Sequence, residues 1–141
     1  MIRRIAAVII GVITGGISLW LVENWLSHLL IDRLDSRFPQ DPALVADYVA
    51  ALPMAAKWMV VLAVLVGGFV ASFVALKISK GDAAPARDAG FIMLLLTVVN
   101  LFAITHPTWM SISMPLATIL GSLIALRFAT HQKNVQPESM Q

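Results

Sequence analysis

The chain reads as an all-α integral membrane protein: a four-transmembrane-helix antiparallel bundle with a short amphipathic helix in its first outer loop. Three observations predict this. Hydrophobic residues make up 59% and charged ones 13%, about half the charged share of an average soluble domain. Four apolar runs each approach the roughly 20 residues that a helix needs to cross a bilayer. Polar, turn-forming segments separate them.

The first span is predicted over residues 5–26, interrupted by Glu23 and Asn24. Arg3 and Arg4 ahead of an apolar run also suit a secretory signal peptide. The run is too long for one, however, and no small-x-small cleavage site follows promptly. Residues 27–53 form the first outer loop. Within it, Asp41 and Pro42 read as an N-cap and first-turn proline, and Leu44, Val45, Tyr48, Val49 and Leu52 share one helical face. Such an amphipathic helix either lies on the lipid interface or covers the mouth of the bundle.

The second span, residues 54–78, opens behind Pro53, a residue tolerated where the first-turn N–H has no helical partner. "SKGDAAPARD", residues 79–88 with Ser79 first, Asp88 last, is a turn-rich cytoplasmic loop. The third span, residues 89–105, is the shortest. "THPT" joins it tightly to the fourth, residues 109–129, and His106 before Pro107 favours an extended break. Pro115 removes one hydrogen bond from the fourth span, that to the Ser111 carbonyl, and should kink it. Residues 130–141 form a polar tail.

Basic residues orient the spans. Arg3, Arg4, Lys77, Lys80, Arg87, Arg127 and Lys133 stand with the termini, against Arg33, Arg37 and Lys57 at the other end. The N- and C-termini are therefore expected in the cytoplasm. Trp20, Trp25, Trp58 and Trp109 then gather near the outer interface. Small residues recur every fourth position, at Gly11 and Gly15, at Gly67, Ala71 and Ala75, and at Ala117, Gly121 and Ala125. In lipid, helices associate through close backbone approach, so these are packing faces, within one chain or between chains.

Few side chains carry chemistry. With no cysteine, disulfides and thiolate sites are excluded, and no basic block suggests nucleic acid. Ser27, Ser111 and Ser113 lack a nucleophile-elbow setting, so no catalytic residue is assigned. Glu23, Lys57 and Asn100 all fall about one turn inside the outer boundary. An ionised carboxylate there costs several kcal/mol unless paired. The expected partner of Glu23 is Lys57, with Asn100 adding hydrogen bonds. His28 and His106 complete the polar cluster at this rim. His28 lies about 140° around the first helix from Glu23 and shares a face with Asp32 instead. Two imidazoles and a carboxylate at unrelated spacings give no metal site, and no cofactor is implied.

A glutamate near the outer end of the first span (Glu23), the "FPQDP" outer loop, Gly67 and Gly68 in the second span, and the "HPTW" junction carry a resemblance. With these features the chain resembles a group of small four-span bacterial membrane proteins without assigned activity. The resemblance implies a bacterial cytoplasmic (inner) membrane protein whose outer-side glutamate and His-Pro-x-Trp residues are the functional candidates. The expected role is a binding, accessory or assembly subunit. The alternative is a small transporter or channel subunit using the Glu23, Lys57 and Asn100 cluster. The expected partners are the lipid bilayer and either a second copy, forming a homo-oligomer, or another membrane protein.

Overall fold

The computed structural model describes residues 1–30, 42–104 and 106–134. Five helices lie among them: α1 (Ile2–Leu30), α2 (Pro42–Ala51), α3 (Met54–Ile78), α4 (Ala83–Ala103) and α5 (Thr108–Asn134). All but α2 are long and apolar enough to cross a membrane. The "FPQDP" proline and glutamine, Asp32, Arg33, Arg37, Asp41, Thr105 and the tail beyond Asn134 lie outside the described residues.

Two helices exceed the expected spans. α1 continues past Leu26 to Leu30, and α5 runs through Pro115 to Asn134. α4 departs from expectation more clearly, because it begins at Ala83 and takes in the predicted connector from there to Asp88. Its cause is local. Asp82 is extended and its carboxylate accepts the Ala84 N–H at 3.1 Å, a side-chain cap for the first turn. Pro85 then falls in that first turn, where a missing N–H breaks no helical bond.

The turn before it is equally determined. Gly81 N–H donates to Leu76 O at 2.9 Å and Lys80 N–H to Lys77 O at 3.2 Å, the paired bonds of a Schellman ending. Lys80 and Gly81 both take positive φ, 59° and 86°, a region that glycine enters freely and lysine does not. The start of α1 is clamped to this turn. Arg3 donates to Ser79 O at 3.1 Å, and Arg4 meets the Asp82 carboxylate at 2.7 Å. The second pair is largely exposed, so it fixes position more than it stabilises.

Successive spans alternate in direction, which leaves α3 and α5 parallel. Both α3 and α4 touch every other span, whereas α1 and α5 share no contact among the described residues. The section is a rhombus with α3 and α4 on its short diagonal. The N-terminus and the last turn of α5 are at one end with Arg3, Arg4, Lys77, Lys80 and Arg87. The tryptophans gather toward the other, where Trp58 and Trp109 pack at 5.0 Å between ring centroids.

The small-residue faces pack within the chain. A Cβ on Gly15 would stand 2.6 Å from Ala71 Cβ and 2.7 Å from Gly67 O, and one on Gly11 would stand 2.6 Å from Ala71 O. The α1 and α3 backbones therefore touch. On the other side of α3, Gly68 lies against Thr118 O and Gly121 against Leu65 O. Backbones this close exchange dispersion contacts that larger side chains would hold apart.

Buried hydroxyls mark the α3, α4 and α5 junction. Thr97 and Thr118 meet at 3.1 Å between their Oγ1 atoms, one donating to the other, and each Oγ1 also stands within hydrogen-bond reach of its own helix, at Met93 O and Met114 O. Ser122 Oγ lies 3.3 Å from Gly68 O and 3.0 Å from Thr118 O. Ser72 is fully buried, and its Oγ has no hydrogen-bond partner among the described residues.

Candidate functional site

The tryptophan-end half of the bundle is not packed solid. Small residues hold α1, α3 and α5 together near mid-depth. Beyond that level the helices part around a cavity of about 480 Å³, within the usual range for small-molecule sites. It reaches from Met93 to Ile104 along α4, about 16 Å at 1.5 Å per residue.

Its polar and apolar groups are segregated. Glu23, Lys57, Asn100 and His106 line the end nearest the helix termini, while Leu19, Val60, Val64, Met93, Met110 and Met114 line the depth. The cavity thus brings together four of the five residues expected to form a polar cluster. His28 lies in the last turns of α1, and its side chain is outside the described residues. The roof is α2. Val49 is only 6% exposed and lines the cavity with Leu52, so the amphipathic segment covers the bundle mouth.

Lys57 has a different partner from the one expected. Its Nζ donates to Ala50 O at 2.9 Å, and the expected ion pair with Glu23 is not formed. The physical reason is the end of α2. Its last carbonyls lack helical donors and carry the negative end of the helix dipole, and Pro53 turns the chain so that the first turn of α3 lies beside them. An ammonium placed there satisfies a carbonyl and pins the roof. Glu23 lines the cavity with His106 and makes a contact of its own. His106 is oriented by its backbone, because Nδ1 stands 2.7 Å from Ile104 O. A carbonyl only accepts, so Nδ1 carries the proton, and in the neutral ring Nε2 is left as an acceptor.

An energetic consequence follows for the two charged residues. Lys57→Met and Glu23→Gln should shift the melting temperature independently, with a double variant near the sum of the singles. Thermal unfolding of the four proteins in detergent measures this. Coupling well above about 0.5 kcal/mol would show that the two residues do act as a pair.

The apolar lining was not singled out from the sequence, although Met110 and Met114 stand one turn apart on α5. Thr97, three residues before Asn100, lies on the same face of α4. Gly16, which also lines the cavity, sits where an added Cβ would meet nothing within 4 Å.

Fold and cavity together define a small four-span integral membrane protein with a chamber in one half of its bundle. No protein-family model, curated protein or solved structure matches the chain, so the resemblance seen in the sequence extends to the four spans and identifies no family.

Proposed function

We propose that this is a binding subunit of the bacterial cytoplasmic membrane, its termini cytoplasmic, which holds an amphipathic small molecule in the outer half of the bilayer. The observation that carries this is the segregation within the 480 Å³ cavity, with polar groups at one end and methionine and aliphatic side chains along the rest. Ligand sites are typically apolar with a few polar groups that fix orientation, and methionine adapts its shape to what it touches. Binding suits these groups better than catalysis. Among the described residues, Thr97 is the single lining hydroxyl, and it is already engaged with Met93 O and Thr118. The seven-to-three distribution of basic residues supports the orientation.

The alternative, a transporter or channel subunit, draws on the same cluster and on the hydroxyls of Thr97, Thr118 and Ser122, which continue the polar line inward. Native mass spectrometry of protein released from membranes tests the binding reading. A bound molecule should be retained by the wild type and lost in Met114→Trp, whose indole fills the chamber. If neither retained nor added amphiphiles bind, the reading falls; solute flux in proteoliposomes without retention favours the alternative.

A further inference from the structure

The cavity has a side as well as a mouth. Its lining residues from α2, α3 and α5 are all buried or half-buried, whereas three from α1 and α4, namely Gly16, Glu23 and Leu96, are exposed. Nearer the basic end α1 and α4 are drawn together, because Val8 and Val12 pack on the cluster containing Ala86, Ala89 and Met93. Past that level an added Gly16 Cβ would meet nothing within 4 Å, so the wall between the two helices is open. The opening is a fissure that runs from Gly16 toward Glu23.

Depth decides what meets this fissure. Gly16 precedes Trp25 by nine residues, a rise of about 14 Å, and indoles gather at the membrane–water boundary. The fissure therefore starts near the middle of a hydrocarbon core about 30 Å thick and ends at its edge. The chamber behind it reaches about 16 Å along α4, the depth of one leaflet. At this level acyl chains are the solvent, and Leu19, Val64, Met93, Met110 and Met114 offer them an apolar wall. The polar end favours neither sign of charge. Lys57 keeps its charge and two N–H donors beyond its bond to Ala50 O, and it shares that end with an acid, Glu23. The site is thus matched to an apolar chain of leaflet length and not to a charged head.

Resting on the binding reading above, we propose that the chamber takes one acyl chain of a membrane phospholipid. The chain enters sideways between α1 and α4, while the glycerol and head group stay outside at the level of Glu23. The lipid is held by its chain and remains part of its leaflet.

A phosphatidylcholine with a diazirine midway along one chain tests this in nanodiscs that hold the purified full chain. Illumination should attach it to Met110 and Met114, which line the chamber and are each only 1% exposed, as well as to the exposed Leu120 and Leu123. Gly16→Trp, whose indole fills the fissure, should lower attachment at the two methionines several-fold and leave Leu120 and Leu123 unchanged. That unchanged pair reports an intact bundle. Should Gly16→Trp fail to fold, Leu96→Trp fills the fissure from the α4 side.

Attachment confined to outward residues such as Leu120 and Leu123 would overturn the proposal. If such a wild type still retains an amphiphile in native mass spectrometry, the binding reading stands; if it retains none, both fall. Equal attachment at the methionines with the fissure plugged would overturn sideways entry. Displacement of the photolipid by free hexadecanoate, but not by added phosphatidylcholine, would overturn the phospholipid assignment in favour of a detached fatty acid.

Discussion

Gly121→Leu should remove most folded protein from the membrane. A Cβ at this position would press directly on the Leu65 carbonyl and stand 3.0 Å from the Phe69 nitrogen, and both are helical backbone atoms that no rotamer change can move. Overpacking a core with flexible neighbours costs about 1–3 kcal/mol. Here α3 and α5 must separate as rigid bodies, so the expected cost is about 3 kcal/mol or more. Thermal unfolding in detergent, with the fraction recovered from membranes, provides the measurement. Gly16→Ala is the control, since its Cβ would meet nothing within 4 Å. A Gly121→Leu protein with the yield and melting temperature of the wild type would show that the parallel α3 and α5 contact is not made as described.

The second large effect is expected at Gly90, and it differs in being repairable. A Cβ there would lie 2.7 Å from Ser122 Oγ, 2.8 Å from Ser72 Oγ and 2.9 Å from Ser122 Cβ, so its three nearest obstacles are side-chain atoms. Gly90→Ala alone should cost about 1–3 kcal/mol. Adding Ser122→Gly removes two of the three contacts. The third is relieved by rotating Ser72, whose hydroxyl gives up no hydrogen bond among the described residues. The double variant should therefore recover more than half of the lost melting temperature. No recovery would mean that the α4 backbone itself, and not the serines, sets the limit at this site.

The contrast between these glycines shows what was readable in the chain. Spacing by four identified Gly15, Gly67 and Gly121 as packing residues, because the helical period puts such positions on one face. Hydropathy located the spans because lipid admits few other solutions. The period does not reveal which atom of a neighbouring helix the face will meet, since that depends on the depth and rotation of two helices at once. Lys57 illustrates the same limit. Its polarity and position among apolar residues were plain, but its partner is the carbonyl of Ala50, and a backbone atom leaves no mark in a sequence of side chains. Likewise, Asp82 is one of several polar residues in its connector, and only the turn geometry at Lys80 and Gly81 makes it the cap of α4. The polar members of the cavity were legible as residues too costly to leave in lipid. Its methionines and Gly16 resembled any other apolar lining, and a chamber is visible only as the place where four helices fail to meet.

The rhombic section also has a consequence for biosynthesis. The most extensive packing of α3 is with α1 and α5 and not with α4, its neighbour in sequence. A chain made from its N-terminus therefore delivers α3 to a waiting α1 but keeps the opposite face of α3 unpaired until the last span emerges. During that interval the Gly68 face of α3, later covered by Thr118 and Ser122, is open to lipid or to an insertion factor. Completion of the bundle is thus decided at its final step, and a chain halted before α5 would present to the quality-control machinery the small-residue strip that the finished protein conceals.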